Sequence, residues 1–217
     1  MQSSTIREVM AMQIEPMPSD DGFRCWLSPS EQTQLVEHFS SEPKKRLAVE
    51  LMLDGLRSEE VPRVATRDFR RLDTDGEEAY KLRVREGKTG WRECPVSTNT
   101  KERAVMLKNA RGLTKEDPLV DVSARTVQRW IAGDNRITGA VEKIAEQTGN
   151  DDWLHVTAHD LRRTWATSTY YSLSAPFSLE VILQWGGWAS GETFRENYLG
   201  KEPDHLAVQM MDEAGLR

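Results

Sequence analysis

Several residues in this chain of 217 residues have side chains that can act on a phosphate ester. His159 and Arg162 are three positions apart, which places them on one face of a helix. A guanidinium group offers paired donors for two phosphate oxygens, and a tyrosine hydroxyl can serve as a nucleophile. Groups of these types can supply the nucleophile, the cations and the acid needed to break a phosphodiester without a metal. The candidates, in chain order, are Arg57, Lys88, His159, Arg162, Trp188 and Tyr198.

Short motifs surround these residues. Arg57 lies in Gly-Leu-Arg-Ser-Glu-Glu, Lys88 in Gly-Lys-Thr-Gly, and His159 in His-Asp-Leu-Arg-Arg-Thr. The order of these motifs resembles the tyrosine recombinases, also called the phage integrase family, over residues 28–200. The resemblance implies an integrase-type catalytic domain of α+β class, mostly α-helical, with a small three-stranded antiparallel sheet.

The resemblance also implies a role for each candidate. Tyr198 would attack phosphorus and become a phosphotyrosine, while Arg57 and Arg162 would clamp the phosphate. Lys88 would protonate the departing 5′ oxygen. A clamp of this kind suits arginine better than lysine, because a planar guanidinium can bind two oxygens at once.

The remaining residues differ in how closely they match the family. His159 would accept the tyrosine proton or donate a hydrogen bond to the phosphate, and Glu60 would support the site structurally. Trp188 stands where most members have a second histidine; tryptophan keeps an N–H donor but cannot shuttle a proton. We expect Arg163 to be a surface residue or a contact to the DNA backbone.

The function that the resemblance implies is site-specific recombination of DNA, as in the integrases of mobile elements, viruses or plasmids. Such an enzyme binds double-stranded DNA, acts as a homotetramer on it, and needs no cofactor, neither metal nor ATP. It would be cytoplasmic and associated with the nucleoid. Two alternatives remain open. A type IB topoisomerase uses a similar residue set, and a non-catalytic DNA-binding protein would explain residues 123–130, which resemble the start of a groove-reading helix.

The composition sets limits on these interpretations. The hydrophobic fraction of 38% supports a sizeable core. The net charge of −6 is unfavourable for a DNA-binding protein, but net charge does not describe the local field. No apolar run is long enough to span a bilayer, and no signal peptide is evident. Cys25 and Cys94 lack metal-ligand spacing and are expected to be structural thiols.

The chain divides into three predicted parts. Residues 1–22 are expected to be a tail or linker, residues 23–203 the catalytic domain, and residues 204–217 a C-terminal tail helix. This helix carries a partial apolar stripe, which has to be buried somewhere. In many members of the family such a tail docks on the neighbouring protomer, and we expect the same here on DNA.

Local patterns predict the elements that position the site. Ser28, Pro29 and Glu31 form a capping box that begins a helix. Short apolar-rich segments at 69–72, 79–84 and 92–96 predict a three-stranded meander with Lys88 in its second turn. Helices are expected at 98–110, at 124–131 and, after a break, at 138–147, and Thr157 is expected to cap the helix that carries His159.

Overall fold

The computed structural model describes residues 11–17, 21–72, 76, 78–87, 90–173, 178–202 and 204–216. Lys88 lies outside these residues. Within the described part the helices are α1 (Pro29–His38), α2 (Pro43–Leu53), α3 (Thr98–Ala110), α4 (Ala124–Ala132), α5 (Ala140–Thr148), α6 (Ala158–Ser172), α7 (Ser178–Gly186), α8 (Gly191–Asn197) and α9 (Asp204–Glu213). The strands are β1 (Gln13–Pro16), β2 (Phe23–Trp26), β3 (Phe69–Arg71), β4 (Tyr80–Gly87) and β5 (Gly90–Val96).

The helix ends follow from local hydrogen bonding. At α1 the Ser28 hydroxyl accepts from the backbone of Glu31 while the Glu31 carboxylate accepts from the Ser28 backbone, so the predicted capping box is confirmed. Ser97 caps α3, which has the predicted bounds, and Ser123 caps α4. The break after α4 occurs at Gly133, whose φ of 73° ends the helix.

Strands β3, β4 and β5 form an antiparallel sheet in that order, which confirms the predicted meander. Tyr80, Leu82 and Val84 of β4 face the core, as period-two alternation requires. The N-terminal region differs from the prediction. Gln13–Pro16, expected to belong to a tail or linker, is a strand that pairs antiparallel with β2. The two strands are consecutive in the chain, and their pairing starts at Pro16 and Phe23, so the missed feature is a local antiparallel pair.

Helices α2 and α6 pack against each other at the centre of the domain, and α6 also packs on β2. In α6 every side chain from Asp160 to Thr167 is buried, including those of two arginines. Charged residues in such a position require hydrogen-bond partners. Their partners, described below, bring distant segments of the chain together.

The C-terminal helix α9 lies beside a groove formed by β1, β2 and α6. Leu206 and Gln209 line this groove together with Trp26 and Tyr171. Met210 and Met211 remain 55% and 46% exposed, so the apolar stripe is only partly covered within the chain. None of the helices in the described part combines the length and apolar character needed to cross a membrane.

Candidate active site

The first element of the site is the segment that follows α2. Gly55 has a φ of 96°, and a side chain there would collide with the Trp165 ring, so only glycine suits this turn. The turn places Arg57 at the edge of the core with its side chain 13% exposed. It also aims the Gly55 carbonyl at the interior, where it accepts a hydrogen bond from Arg162.

Arg57 and Arg162 come from distant parts of the chain and meet at the turn that ends α7. Arg162 Nη2 donates to the carbonyl of Gly186, and Arg57 Nη2 donates to the carbonyl of Gly187 at 3.4 Å. Arg162 is 1% exposed, and its guanidinium carbon lies 4.5 Å from the centre of the Trp188 ring. The structure therefore brings the two predicted phosphate-binding arginines onto adjacent carbonyl groups.

A buried ion-pair network holds the side chain of Arg57 in place. The Glu60 carboxylate accepts hydrogen bonds from both terminal nitrogens of Arg92, at 2.6 and 2.7 Å, and from Nη1 of Arg57, at 3.0 Å. Burial by itself would raise the pKa of Glu60, but the bonds from Arg92 and Arg57 and the nearby charge of Arg162 lower it to about 2. Glu60 thus holds Arg57 and Arg92 in place, and its support of an active site stays a prediction.

Arg92 has a structural role in the site that was not predicted from the sequence. It is 5% exposed, and its Nε donates to the carbonyl of Trp185 at 3.0 Å, which ties β5 to α7. The sequence contains a signal for this role. Arg92 occupies the same face of β5 as Cys94 and Val96, and a charged residue on a core-facing strand position indicates a buried partner.

Tyr198 lies immediately after α8 and is surrounded by the other candidates. Its ring centre is 4.7 Å from that of Trp188, 5.2 Å from that of His159 and 5.8 Å from the guanidinium carbon of Arg162. Trp188 is 8% exposed and also contacts Trp165. Five of the six predicted site residues therefore form one cluster; the sixth, Lys88, is outside the described residues.

The backbone of Tyr198 is held from two sides. Its carbonyl accepts hydrogen bonds from Trp26 Nε1 at 2.9 Å and from the Thr167 hydroxyl at 3.0 Å. Arg163 donates to the carbonyl of the preceding residue, Asn197, at 2.9 Å and pairs with Asp160. The expectation that Arg163 is a surface or DNA-contacting residue is wrong. It is 7% exposed, because it fastens the end of α8 to α6.

Positive charge accumulates in the cluster and shifts the pKa values of its members. Burial, with Arg57 and Arg92 nearby, lowers the pKa of Arg162 to about 10. Desolvation, with Arg163 and Arg162 nearby, lowers the pKa of His159. The residue as a whole is exposed, so water still reaches part of the ring and limits the size of this shift. With its pKa lowered, the histidine is neutral near pH 7 and can accept a proton or a hydrogen bond. A group of cations in this environment favours binding of an anion.

Two buried N–H donors of the cluster have no hydrogen-bond partner among the residues that the structure describes. They are Nε1 of Trp188 and Nε of Arg162. Buried N–H groups are nearly always paired, and those that are not call for a specific explanation. Both atoms are almost fully shielded from solvent, so a ligand would reach them only if neighbouring side chains moved. Across the described part of the chain, no group of His, Cys, Asp and Glu side chains is arranged to hold a metal ion.

Comparisons with known proteins identify the fold. A comparison with protein-family models and one with curated protein sequences each found no match. Among solved structures, the chain is similar to XerA recombinase, with 21% identity, a TM-score of 0.62, and coverage of 87% of this chain and 64% of that one. It is also similar to XerH site-specific recombinase bound to difH substrate in a pre-cleavage complex, with 18% identity, a TM-score of 0.58, and coverage of 85% and 53%.

A third similar structure is the Tn1549 transposon integrase in complex with transposon right end DNA, with 15% identity, a TM-score of 0.57, and coverage of 88% and 66%. The chain thus spans between about half and two thirds of the length of these structures. At this level of identity the similarity defines the fold. The chain has the fold of a tyrosine recombinase catalytic domain, which confirms the predicted resemblance and the predicted α+β class.

Proposed function

We propose that this chain is the catalytic part of a site-specific DNA recombinase that cuts and rejoins DNA through a 3′-phosphotyrosine intermediate. The observation that carries the proposal is the meeting of Arg57 and Arg162 at the Gly186–Gly187 turn, beside the ring of Tyr198. Two guanidinium groups next to a tyrosine supply the anion clamp and the nucleophile that phosphoryl transfer requires. We assign the catalytic domain to residues 23–203, together with strand β1.

In the proposed first step, the Tyr198 oxygen attacks the scissile phosphorus and the bond from phosphorus to the 5′ oxygen breaks. Arg57, Arg162 and the indole N–H of Trp188 stabilise the charge that develops on the non-bridging oxygens. The product is a 3′-phosphotyrosine bond and a free 5′ hydroxyl. Because the phosphotyrosine retains the bond energy, the reverse attack by a 5′ hydroxyl rejoins DNA without ATP or a metal.

Two proton transfers complete this step. The Tyr198 proton passes to His159, which is neutral near pH 7 because its pKa is lowered. A bound phosphodiester adds negative charge beside the ring, so it raises the basicity of His159 at the moment when a base is needed. Lys88, which lies outside the described residues, is proposed to protonate the leaving 5′ oxygen.

Trapping of the covalent intermediate tests the proposal. A nicked suicide substrate, in which the 5′ hydroxyl is lost after cleavage, should leave a protein–DNA adduct that a protease shortens. Candidate substrates are the attachment sites that flank the gene. Tyr198→Phe removes only the hydroxyl, so DNA binding should persist while the adduct disappears. An adduct formed at the wild-type yield by Tyr198→Phe would exclude Tyr198 as the nucleophile.

The alternatives give different results in the same system. A type IB topoisomerase would relax supercoiled DNA without partner sites, and a non-catalytic DNA-binding protein would form no adduct. The three similar structures are described as recombinases or an integrase, and two of them were solved with DNA, which supports the recombinase. Binding of double-stranded DNA and assembly into a homotetramer on it belong to this proposal.

A further inference from the structure

A cavity of about 210 Å³ lies between residues 83–85 of β4 and two short 3₁₀ turns that follow Arg57, Val61–Arg63 and Thr66–Asp68. Although the chain has a net charge of −6, four of the nine residues that line this cavity are arginines. The charged residues in its wall are Arg63, Arg67, Arg83, Arg85, Glu60 and Asp68.

The two carboxylates in the wall are already engaged with protein groups. The Glu60 side chain is 2% exposed and accepts from Arg92 and Arg57. The Asp68 side chain is 6% exposed and accepts from the backbone N–H of Ala65 at 3.1 Å and from Arg85 Nε at 2.8 Å. Neither carboxylate is therefore turned toward solvent.

The arginines, in contrast, reach solvent. The side chains of Arg83 and Arg85 are 38% and 52% exposed, and Arg63 and Arg67 are also exposed. Arg83 pairs with Glu93 at 3.4 Å and Arg85 with Asp68 at 2.8 Å, but with four arginines and two buried carboxylates the cavity wall still carries an excess of positive charge. Clustered guanidinium groups bind phosphate with paired hydrogen bonds, so the cavity has the chemistry of a phosphate site.

The cavity adjoins the candidate active site at Leu56, which precedes Arg57 in the chain, and at Glu60. Glu60 forms part of the cavity wall and at the same time accepts Nη1 of Arg57 at 3.0 Å. Successive phosphates of one DNA strand are about 3.4 Å apart along the helix axis. A neighbouring phosphate of a strand whose scissile phosphate lies at Arg57 is therefore the candidate ligand of this cavity.

We propose that the cavity binds a phosphodiester of the DNA backbone adjacent to the one that is cleaved. This inference rests on the proposed function. Backbone contacts carry no sequence information but fix the position of a protein on the duplex. The cavity would set the register of the strand, so that the scissile phosphate meets Arg57 and Arg162.

Salt-dependent binding to a duplex oligonucleotide of arbitrary sequence tests the cavity. We choose Arg67→Gln and Arg83→Gln, singly and together, with Arg71→Gln as the matched control. Arg71 lies on the same sheet, is 61% exposed and does not line the cavity. All four proteins should retain the wild-type melting temperature, because the substitutions are at the surface.

Each phosphate contact contributes about 0.9 to the slope of log affinity against log salt concentration. Both arginines serve one phosphate, so the double variant should lose about 0.9 from the slope and not twice that amount. Arg71→Gln should leave the slope nearly unchanged. The cavity assignment would be overturned if the slope of the double variant is unchanged. It would also be overturned if Arg71→Gln lowers the slope as much as the double variant does.

Two further measurements separate the cavity from the proposed function and from free phosphate. If the wild type binds duplex and forms the Tyr198 adduct while the double variant keeps its slope, only the cavity assignment fails. If the wild type does not bind duplex at low salt, both proposals fail. If inorganic phosphate raises the melting temperature of the wild type but not of the double variant, and their DNA slopes are equal, the cavity binds free phosphate and not the DNA backbone.

Discussion

The substitution Glu60→Gln tests the buried network that supports Arg57. Glutamine has nearly the same shape as glutamate but no charge, so Arg92 and Arg57 would lose their shared carboxylate without a cavity being created. Because Arg92 is 5% exposed, water cannot replace the lost partner, and an unpaired buried charge is strongly destabilising.

The pKa of Glu60 gives the size of the effect. The pKa of Glu60 is lowered from its ordinary value of 4.5 to about 2. The folded protein therefore favours the charged carboxylate by about 3 kcal/mol more than the unfolded chain does. Since the folded-state pKa is the lower one, this stabilisation is complete above pH 4.5 and is lost as the pH falls toward 2. The variant should therefore lose about 3 kcal/mol near pH 7 but only about 1 kcal/mol near pH 3.

Urea unfolding of both proteins across this pH range measures the difference. Glu102→Gln, at an exposed position on α3, is the control and should change the free energy of unfolding little at any pH. A loss for Glu60→Gln that does not vary with pH, or that is no larger than the control, would refute the assignment of Glu60 as the charged centre of the network. Adduct formation should also fall, because Arg57 loses its support.

Three further predictions concern the chemistry and the assembly. Arg162→Lys should lower the rate of adduct formation by about two orders of magnitude, since an ammonium cannot bond both carbonyls and a phosphate in the same geometry; a single-turnover rate near that of the wild type would contradict the clamp. Lys88→Ala should be rescued by a substrate with sulfur at the 5′ bridging position, whereas equal impairment on both substrates would indicate simple phosphate binding. Truncation after Pro203 should preserve single-site cleavage and abolish strand exchange if the tail docks on a neighbouring protomer, while joint loss of solubility and DNA binding would show that α9 belongs to the core of its own chain.

Features that depend on neighbouring residues could be predicted from the sequence. The capping box at Ser28 and Glu31, the bounds of α3 and the break at Gly133 all rest on hydrogen bonds or backbone preferences within a few residues. The three-stranded sheet followed from short apolar segments separated by turn residues. The order of the motifs was also sufficient to indicate the fold, although the chemical roles rest on the resemblance and stay predictions.

Features that depend on contacts between distant segments were decided by the tertiary structure. The sequence separated Arg162 from Arg163 by motif but did not show that Arg163 is buried against the end of α8. Nor did it show that Arg92 shares Glu60 with Arg57. Arg92 and Glu60 are 32 positions apart in the chain, and Arg163 and Asn197 are 34 positions apart. A charged residue in a core is stable only where folding supplies its partner, and no local pattern records which partner that is.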